Sequence, residues 1–385
     1  MVAASQRGPG RATTRVAVAG VHSTTGIALL ARLASDPQVE RVVAIDRDRP
    51  PALPAGVQFV RADLRDALLA RVFAGVDVVV NAVLADTLTR DDDRMPAVRV
   101  QGTRRLLDAA RTAGVGTFVH VSSALVYGAC ERNRVPLDEQ QPLRADPAFS
   151  AVHHALLAEE AVRAFAGDHP QQRIVVLRTV PALVPGVDSA VTRHLESPLL
   201  PRVRGFDPPV QFVAVDDLVE AVRLVVVDPR ARGVYNVAAD GWLTSSDVRH
   251  ILARPGLRLP EQVALGVAAL LHRLRLLAVP PEALRYLMHP WVVDTARLRA
   301  LGWMPATSQR AVLHQFVTEH RRWLSLGRLR VRTNRLLAAA TAAWAVVVGT
   351  AAWLAWQRWA AVRAHPDAAR RPIGGAYGGG MRHTS

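Results

Sequence analysis

The stretch Val16–Leu33, VAVAGVHSTTGIALLARL, decides the fold. An apolar run with β character, Val16–Ala19, is followed by a turn from Gly20 to Gly26 and an apolar helical pattern through Leu33. Gly20 and Gly26 are six residues apart, and Ser23 stands where a middle glycine would complete a G-x-x-G-x-x-G spacing. Small residues in such a turn let backbone N–H groups approach a pyrophosphate, and the helix N-terminus adds its positive end. Gly20, Ser23, Thr24, Thr25 and Gly26 are therefore candidate dinucleotide contacts. The next apolar run, RVVAID, ends at Asp46, twenty residues beyond Gly26. A carboxylate there accepts hydrogen bonds from a ribose diol and repels a 2′-phosphate, which favours NAD, with NADP the alternative. Arg47 beside it softens that preference.

Working outward, further strand patterns appear in VQFVRAD, VDVVVNAV and GTFVHVSS, with helical periodicity between them, as in VRVQGTRRLLDAARTAG. RIVVLRT and GVYNVAA extend the series. Strands alternating with helices predict an α/β fold, a Rossmann-type doubly wound parallel sheet covered on both faces. Proline-rich stretches between and after the last strands predict a small C-terminal substrate lobe. The expected organisation is a disordered tail over 1–14, a dinucleotide-binding domain over 15–180 and the remaining strands with the lobe over 181–325. A basic linker over 326–335, a transmembrane helix over 336–357 and a disordered tail over 358–385 follow.

The transmembrane expectation rests on Leu336–Trp356, a run of 21 residues without a charge, long enough as a helix to span roughly 30 Å. Trp353, Trp356 and Trp359 gather at one end, as in an interfacial belt. Arg321, Arg322, Arg328, Arg330, Arg332 and Arg335 precede the run without an acid, which puts the folded body on the cytoplasmic face of the cell membrane, near anionic lipid. Glu261–Ala278 reads as an amphipathic helix packed on the body. The net charge of +15 comes from arginine alone, because lysine is absent throughout. Arginine stays protonated at working pH, so no side chain here does the tunable-amine chemistry of lysine. The arginines are scattered and no nucleic-acid-binding pattern occurs, so nucleic acid is not an expected partner. One cysteine, Cys130, excludes an internal disulfide and fits a reducing compartment.

Taken together, these motifs resemble the extended short-chain dehydrogenase/reductase family, the NAD-dependent epimerases and dehydratases of sugar nucleotides, over roughly Arg15 to Phe316. RADLRD is similar to the family's adenine-contacting segment, which places Asp63 and Leu64. VDVVVNAV places Ala82 and Val83 beside the coenzyme. VHVSSALVYG puts Ser123 in the catalytic serine's place, with Ser122 before it as a coenzyme contact. LRTVPALVPG, QFVAVDDLVEAV and GVYNVAADGWLTSSDV match later landmarks.

The chain departs from the family at four places. Ser23 replaces the middle glycine, Arg99 stands where the family's N-V-x-G-T segment has asparagine, and Ala214 stands where a histidine is usual. Ala151 and Ala155 occupy the Tyr-x-x-x-Lys positions, and no tyrosine occurs between Tyr127 and Tyr235. In the family the tyrosine relays a proton, and the lysine lowers its pKa and holds the nicotinamide ribose. His153 and His154 lie in the same turn, and His154 is the candidate substitute base. Asp216 and Asp217 are expected to form a helix N-cap, and Tyr127 is expected to be structural. No metal site is expected. Two functions stay open: an NAD-binding, membrane-anchored protein with weak or no turnover, or a working epimerase, dehydratase or reductase of nucleotide-sugar or lipid-linked substrates. Expected partners are a dinucleotide, such a substrate and the membrane, with a homodimer admitted.

Overall fold

The computed structural model describes residues 13–64, 69–83, 97–184, 187–277, 279–320, 323–326 and 329–332. Seven strands form a parallel sheet: β1 (Thr14–Ala19), β2 (Val39–Asp46), β3 (Val57–Arg61), β4 (Val78–Asn81), β5 (Thr117–Ser123), β6 (Arg173–Thr179) and β7 (Gly233–Val237), in the order β7-β6-β5-β4-β1-β2-β3. β1 is an interior strand, with Val16 opposite Val42 of β2 on one side and Val78 of β4 on the other. The chain steps outward to β3 and then crosses to β4. That reversal leaves a crevice outside the carboxyl ends of β1 and β4, where open α/β sheets take ligands.

Period-two alternation sends successive side chains to opposite faces, and both faces are dry. Val16 and Val18 pack with Leu29, Leu30 and Leu33 of α1 (Thr24–Ala34). Ala17 and Ala19 face the layer that holds Leu106 and Leu107 of α2 (Gly102–Thr112) and Val162 of α3 (Ser150–Asp168). α4 (Val215–Val227) joins α1 through Leu218 and Val222. The expectation that Asp216 and Asp217 cap this helix is corrected: the N-cap is Ala214, and both acids lie in the first turn. Asp217 is buried because its two oxygens accept the backbone N–H groups of Ala306 and Thr307 at 2.7 and 3.1 Å. It ties a distant loop to the helix.

The lobe is built from Leu200–Val203 paired in parallel with Gly256–Leu259, from α5 (Ser245–Leu252) and α6 (Glu261–Arg273), and from a 3-10 turn at Pro281–Leu287. α7 (Gln309–His320) closes the body. The described residues up to Val331 form one compact unit. Part of the expected linker is also ordered: Trp323–Leu326 and Leu329–Arg332 pair as a two-stranded sheet. The reason is Glu196, a buried carboxylate that engages His320 Nδ1 at 2.7 Å, Ser325 Oγ at 2.6 Å and Arg330 Nη2 at 2.7 Å. Removing a charge from water requires such partners. No helix among the described residues is long and apolar enough to cross a membrane, and the expected span over 336–357 lies outside them, as do both expected tails save Thr13 and Thr14.

Candidate active site

The turn after β1 closes tightly onto the end of β4. Gly20 has φ +82°, and a Cβ there would lie 2.7 Å from Val83 Cγ2 and 2.9 Å from Val83 N. Gly26 sits against Val21, where a Cβ would come within 2.7 Å of its Cα. Both positions therefore need glycine, one for its backbone conformation and one for close packing of the helix on the turn. Ser23 caps α1, its Oγ accepting from Gly26 N–H at 3.0 Å. A hydroxyl thus does at this position what a glycine cannot. The N–H groups of the exposed Thr24 and the buried Thr25, at the first positions of α1, have no intrahelical acceptor. A phosphate oxygen fits there.

Asp46, at the carboxyl end of β2, accepts His22 N–H at 3.0 Å through Oδ2 and Arg47 N–H at 2.8 Å through Oδ1. Each oxygen retains acceptor capacity, so the carboxylate is held in place and can still take a ribose hydroxyl. Arg47 is paired with Asp63 at 3.9 Å, which partly offsets the cation. Leu64 is buried against Gly102, where a Cβ would lie 3.2 Å away. Ala82 and Val83 follow β4, and Val83 N–H donates to Asn81 Oδ1 at 3.4 Å. Gly20, Ser23, Thr24, Thr25 and Gly26 form the turn and first helical residues after β1, Asp46 ends β2, Asp63 and Leu64 follow β3, and Ala82 and Val83 follow β4. Their donors and acceptors fit a dinucleotide, which when bound would supply the hydride donor or acceptor.

The two serines at the end of β5 diverge. Ser123 Oγ accepts Leu125 N–H at 3.2 Å and keeps its own proton to donate. Ser122 instead donates to Glu159 Oε2 of α3 at 2.7 Å, so its hydroxyl is committed inside the sheet–helix interface. Glu159 is fully buried, and Arg178 of β6 meets it through Nη2 at 2.5 Å. Arg178 Nη1 also donates to Tyr127 Oη at 2.7 Å, and Tyr127 donates to Asn236 Oδ1 at 2.8 Å. Burial pushes the Tyr127 phenol up to about 12, so it keeps its proton. This is a structural lock, in keeping with the expectation for Tyr127.

Ala151 and Ala155 occupy one face of α3, with Ala151 half-buried and Ala155 buried at 5% exposure. A small cavity lies against Ala155, and its other walls include Arg99, Thr103, His120 and Ser122. Arg99 sits in a π-helical turn, Ala97–Gln101, and is 4% exposed. Its Nη1 donates to the carbonyl of Ala151 at 3.0 Å. A fixed cation therefore borders the space beside the family's lysine position, delivered from a different helix. Nearby, Asn81 Nδ2 donates to Thr103 Oγ1 at 2.9 Å and faces His120 Nδ1 at 3.2 Å. Burial lowers His120 to about 4, so it is neutral and accepts at Nδ1. His154 is half-buried on α3, its ring 6.3 Å from that of His153. Among the described residues no group of three or more His, Cys, Asp or Glu could hold a metal ion.

Sequence reading had marked Arg99 only as a departure and had given Glu159, Arg178, His120 and Tyr286 no role. Tyr286, from the lobe, donates to Leu125 O at 2.7 Å, two residues from Ser123. Its sequence signal was weak, since it lies far along the chain from the serine motif.

The NAD dependent epimerase/dehydratase family model matches residues 16–238. An uncharacterised protein of Mycobacterium tuberculosis is 29% identical over 300 residues, covering 75% of this chain and 80% of the relative. A dTDP-glucose 4,6-dehydratase of Streptomyces griseus is 29% identical over 219 residues, covering 51% of this chain and 61% of the relative. Among solved structures, UDP-glucose 4-epimerase of Thermotoga maritima with UDP-glucose superposes with TM-score 0.61 at 18% identity, covering 80% of this chain and 99% of that one. The dTDP-glucose 4,6-dehydratase DesIV of Streptomyces venezuelae, with NAD and TYD bound, gives TM-score 0.60 at 22% identity, covering 80% of this chain and 97% of that one. The likeness to these structures is one of fold. With a glycine turn, an acid-ended second strand and a serine-ended fifth strand in one matched segment, the chain belongs to the NAD dependent epimerase/dehydratase family.

Proposed function

We propose that the protein binds NAD at the carboxyl ends of β1, β2 and β4 and carries little or no turnover there, while the chain is held at the cytoplasmic face of a membrane. The observation that carries this reading is Ala155: a buried methyl group stands at the lysine position, with Arg99 bordering the adjacent space. A positioned acid or base is worth about 10²–10⁴ in rate. An arginine supplies a charge but does not relay a proton at neutral pH. NAD binding is supported by the crevice geometry and by relatives whose structures carry that coenzyme. The membrane reading is supported by the uncharged run Leu336–Trp356 and by the arginines before it. Calorimetric titration of the full chain with NAD and NADP tests the first half, with NAD expected to bind more tightly. Retention on membranes through a carbonate wash tests the second.

A second reading, a working enzyme on a nucleotide-sugar or lipid-linked substrate, is favoured by one observation. The Tyr286 hydroxyl lies on the main chain next to Ser123 and comes from outside the family's motif. Burial pushes this phenol above its ordinary range, so it keeps its proton and its hydrogen bond to Leu125 O. Turnover that disappears in both Ser123→Ala and Tyr286→Phe would establish that reading.

A further inference from the structure

The lobe encloses a cavity of about 280 Å³, close to the lower end of the range for small-molecule sites. It begins beside Ser123, because Leu125 and Tyr286 form part of its wall. Most of the lining is aliphatic or aromatic, with Phe149, Phe206, Phe212 and Trp291 among it. A nucleoside diphosphate would need cations for its two phosphates, and those present are already engaged. Arg193 meets Asp188 through Nη2 at 2.7 Å, and Arg202 meets Asp207 through Nη2 at 2.9 Å. Desolvation lowers His194 to about 4, so it adds no charge at neutral pH. One donor remains to be met: Arg202 Nε is buried without a hydrogen-bond partner among the described residues, on a side chain 10% exposed. An apolar body with one oxygen at its end satisfies this cavity.

The helix forming one wall carries a second signal. α6 turns Ala264 and Ala268 inward, and Ala268 lines the cavity. On its outer side Val263, Val267, Leu270 and Leu274 are 48, 43, 56 and 57% exposed. Steps of four, three and four residues put them on one stripe. Arg273 and Arg275 flank the stripe's end, and Leu276 beyond is also exposed. Exposed apolar side chains beside arginine complement an anionic bilayer surface, into which such a helix sinks its apolar face. Leu277, four residues past the helix, again lines the cavity, so the outward stripe and the cavity wall are parts of one segment.

We propose that the cavity takes the hydrocarbon chain of a single-chain lipid with an oxygen head group, received from an anionic membrane surface on which α6 lies. The lipid's head oxygen accepts from Arg202 Nε, and its chain fills the aromatic end. None of these residues belongs to the coenzyme crevice, so this site and the NAD reading stand or fall separately.

The test uses cis-parinaric acid, whose fluorescence rises in apolar surroundings, with the full chain in a non-ionic detergent below micelle-forming concentration. Saturable binding at one site per chain is expected, weakened at least tenfold by Ala268→Trp and several-fold by Arg202→Gln. Circular dichroism and denaturant melts of the same variants show whether each is folded. Val248→Phe, which narrows the cavity from α5, replaces Ala268→Trp should that variant fail to fold. Transfer of the probe from vesicles of phosphatidylcholine and phosphatidylglycerol is expected to slow about tenfold in Val267→Asp/Leu270→Asp, with binding from solution unchanged. Absence of saturable binding, or displacement of the probe by UDP-glucose at comparable concentration, overturns the lipid assignment. Equal transfer rates for the wild-type and stripe variants overturn the membrane face.

Discussion

At the residue scale, single side chains decide coenzyme choice, proton transfer and pH response. Asp46 is steered by His22 N–H, and Arg47 sits next to it. Asp46→Ala removes the ribose acceptor and the charge that repels a 2′-phosphate. The ratio of NAD to NADP affinity is expected to fall at least tenfold, read by calorimetry. His120 carries a pH prediction. It is pushed down to about 4 in the folded protein, against about 6.5 unfolded. As pH falls from 6.5 toward 4 the unfolded chain binds a proton that the folded chain refuses, so stability is lost over that window and regained as pH rises. The expected loss between pH 7 and pH 5 is about 2 kcal/mol. Denaturant melts check it, and His120→Gln should flatten the dependence. The glycine turn, Asp46 and Ser123 were legible in sequence because each follows a strand at fixed spacing. Arg99 as the cation beside Ala155 was not, because no spacing rule links a π-helical turn to a residue 56 positions on.

At the element scale, the strands of the sheet were legible because runs such as VDVVVNAV are buried on both faces and need no polar alternation. What escaped was the polar interior between elements. Glu159 and Glu160 are adjacent acids in LLAEEAV, yet Glu159 is fully buried while Glu160 is exposed. Its partner Arg178 lies on β6, and nothing in either local pattern announces the pair. Removing one member of a buried ion pair strands the other, so Glu159→Ala is expected to cost about 3–5 kcal/mol in equilibrium unfolding. Loss of under 1 kcal/mol would show that the pair is not buried in solution. Asp217 was mistaken for a cap for a similar reason, since its true partners are backbone groups of Ala306 and Thr307.

At the scale of the whole molecule, the described residues through Val331 make one compact unit. Its ties are long-range and invisible to local pattern: Asn236 to Leu137, Gln309 to Phe212 and Glu196 to Arg330. Chemical unfolding followed by fluorescence and circular dichroism should accordingly give coincident transitions for sheet and lobe.

On the proposed reading, the chain binds NAD while the family's proton path is gone. The direct measurement is absorbance at 340 nm of NAD-saturated full-length protein mixed with UDP-glucose, dTDP-glucose or a long-chain alcohol. It is compared with the variant Arg99→Asn/Ala151→Tyr/Ala155→Lys, which restores the family's residues. The account predicts no reduction of bound NAD by the wild-type protein over minutes, and a rate at least 10²-fold higher in the restored variant. Rapid reduction by the wild-type protein that collapses in Ser123→Ala would contradict it.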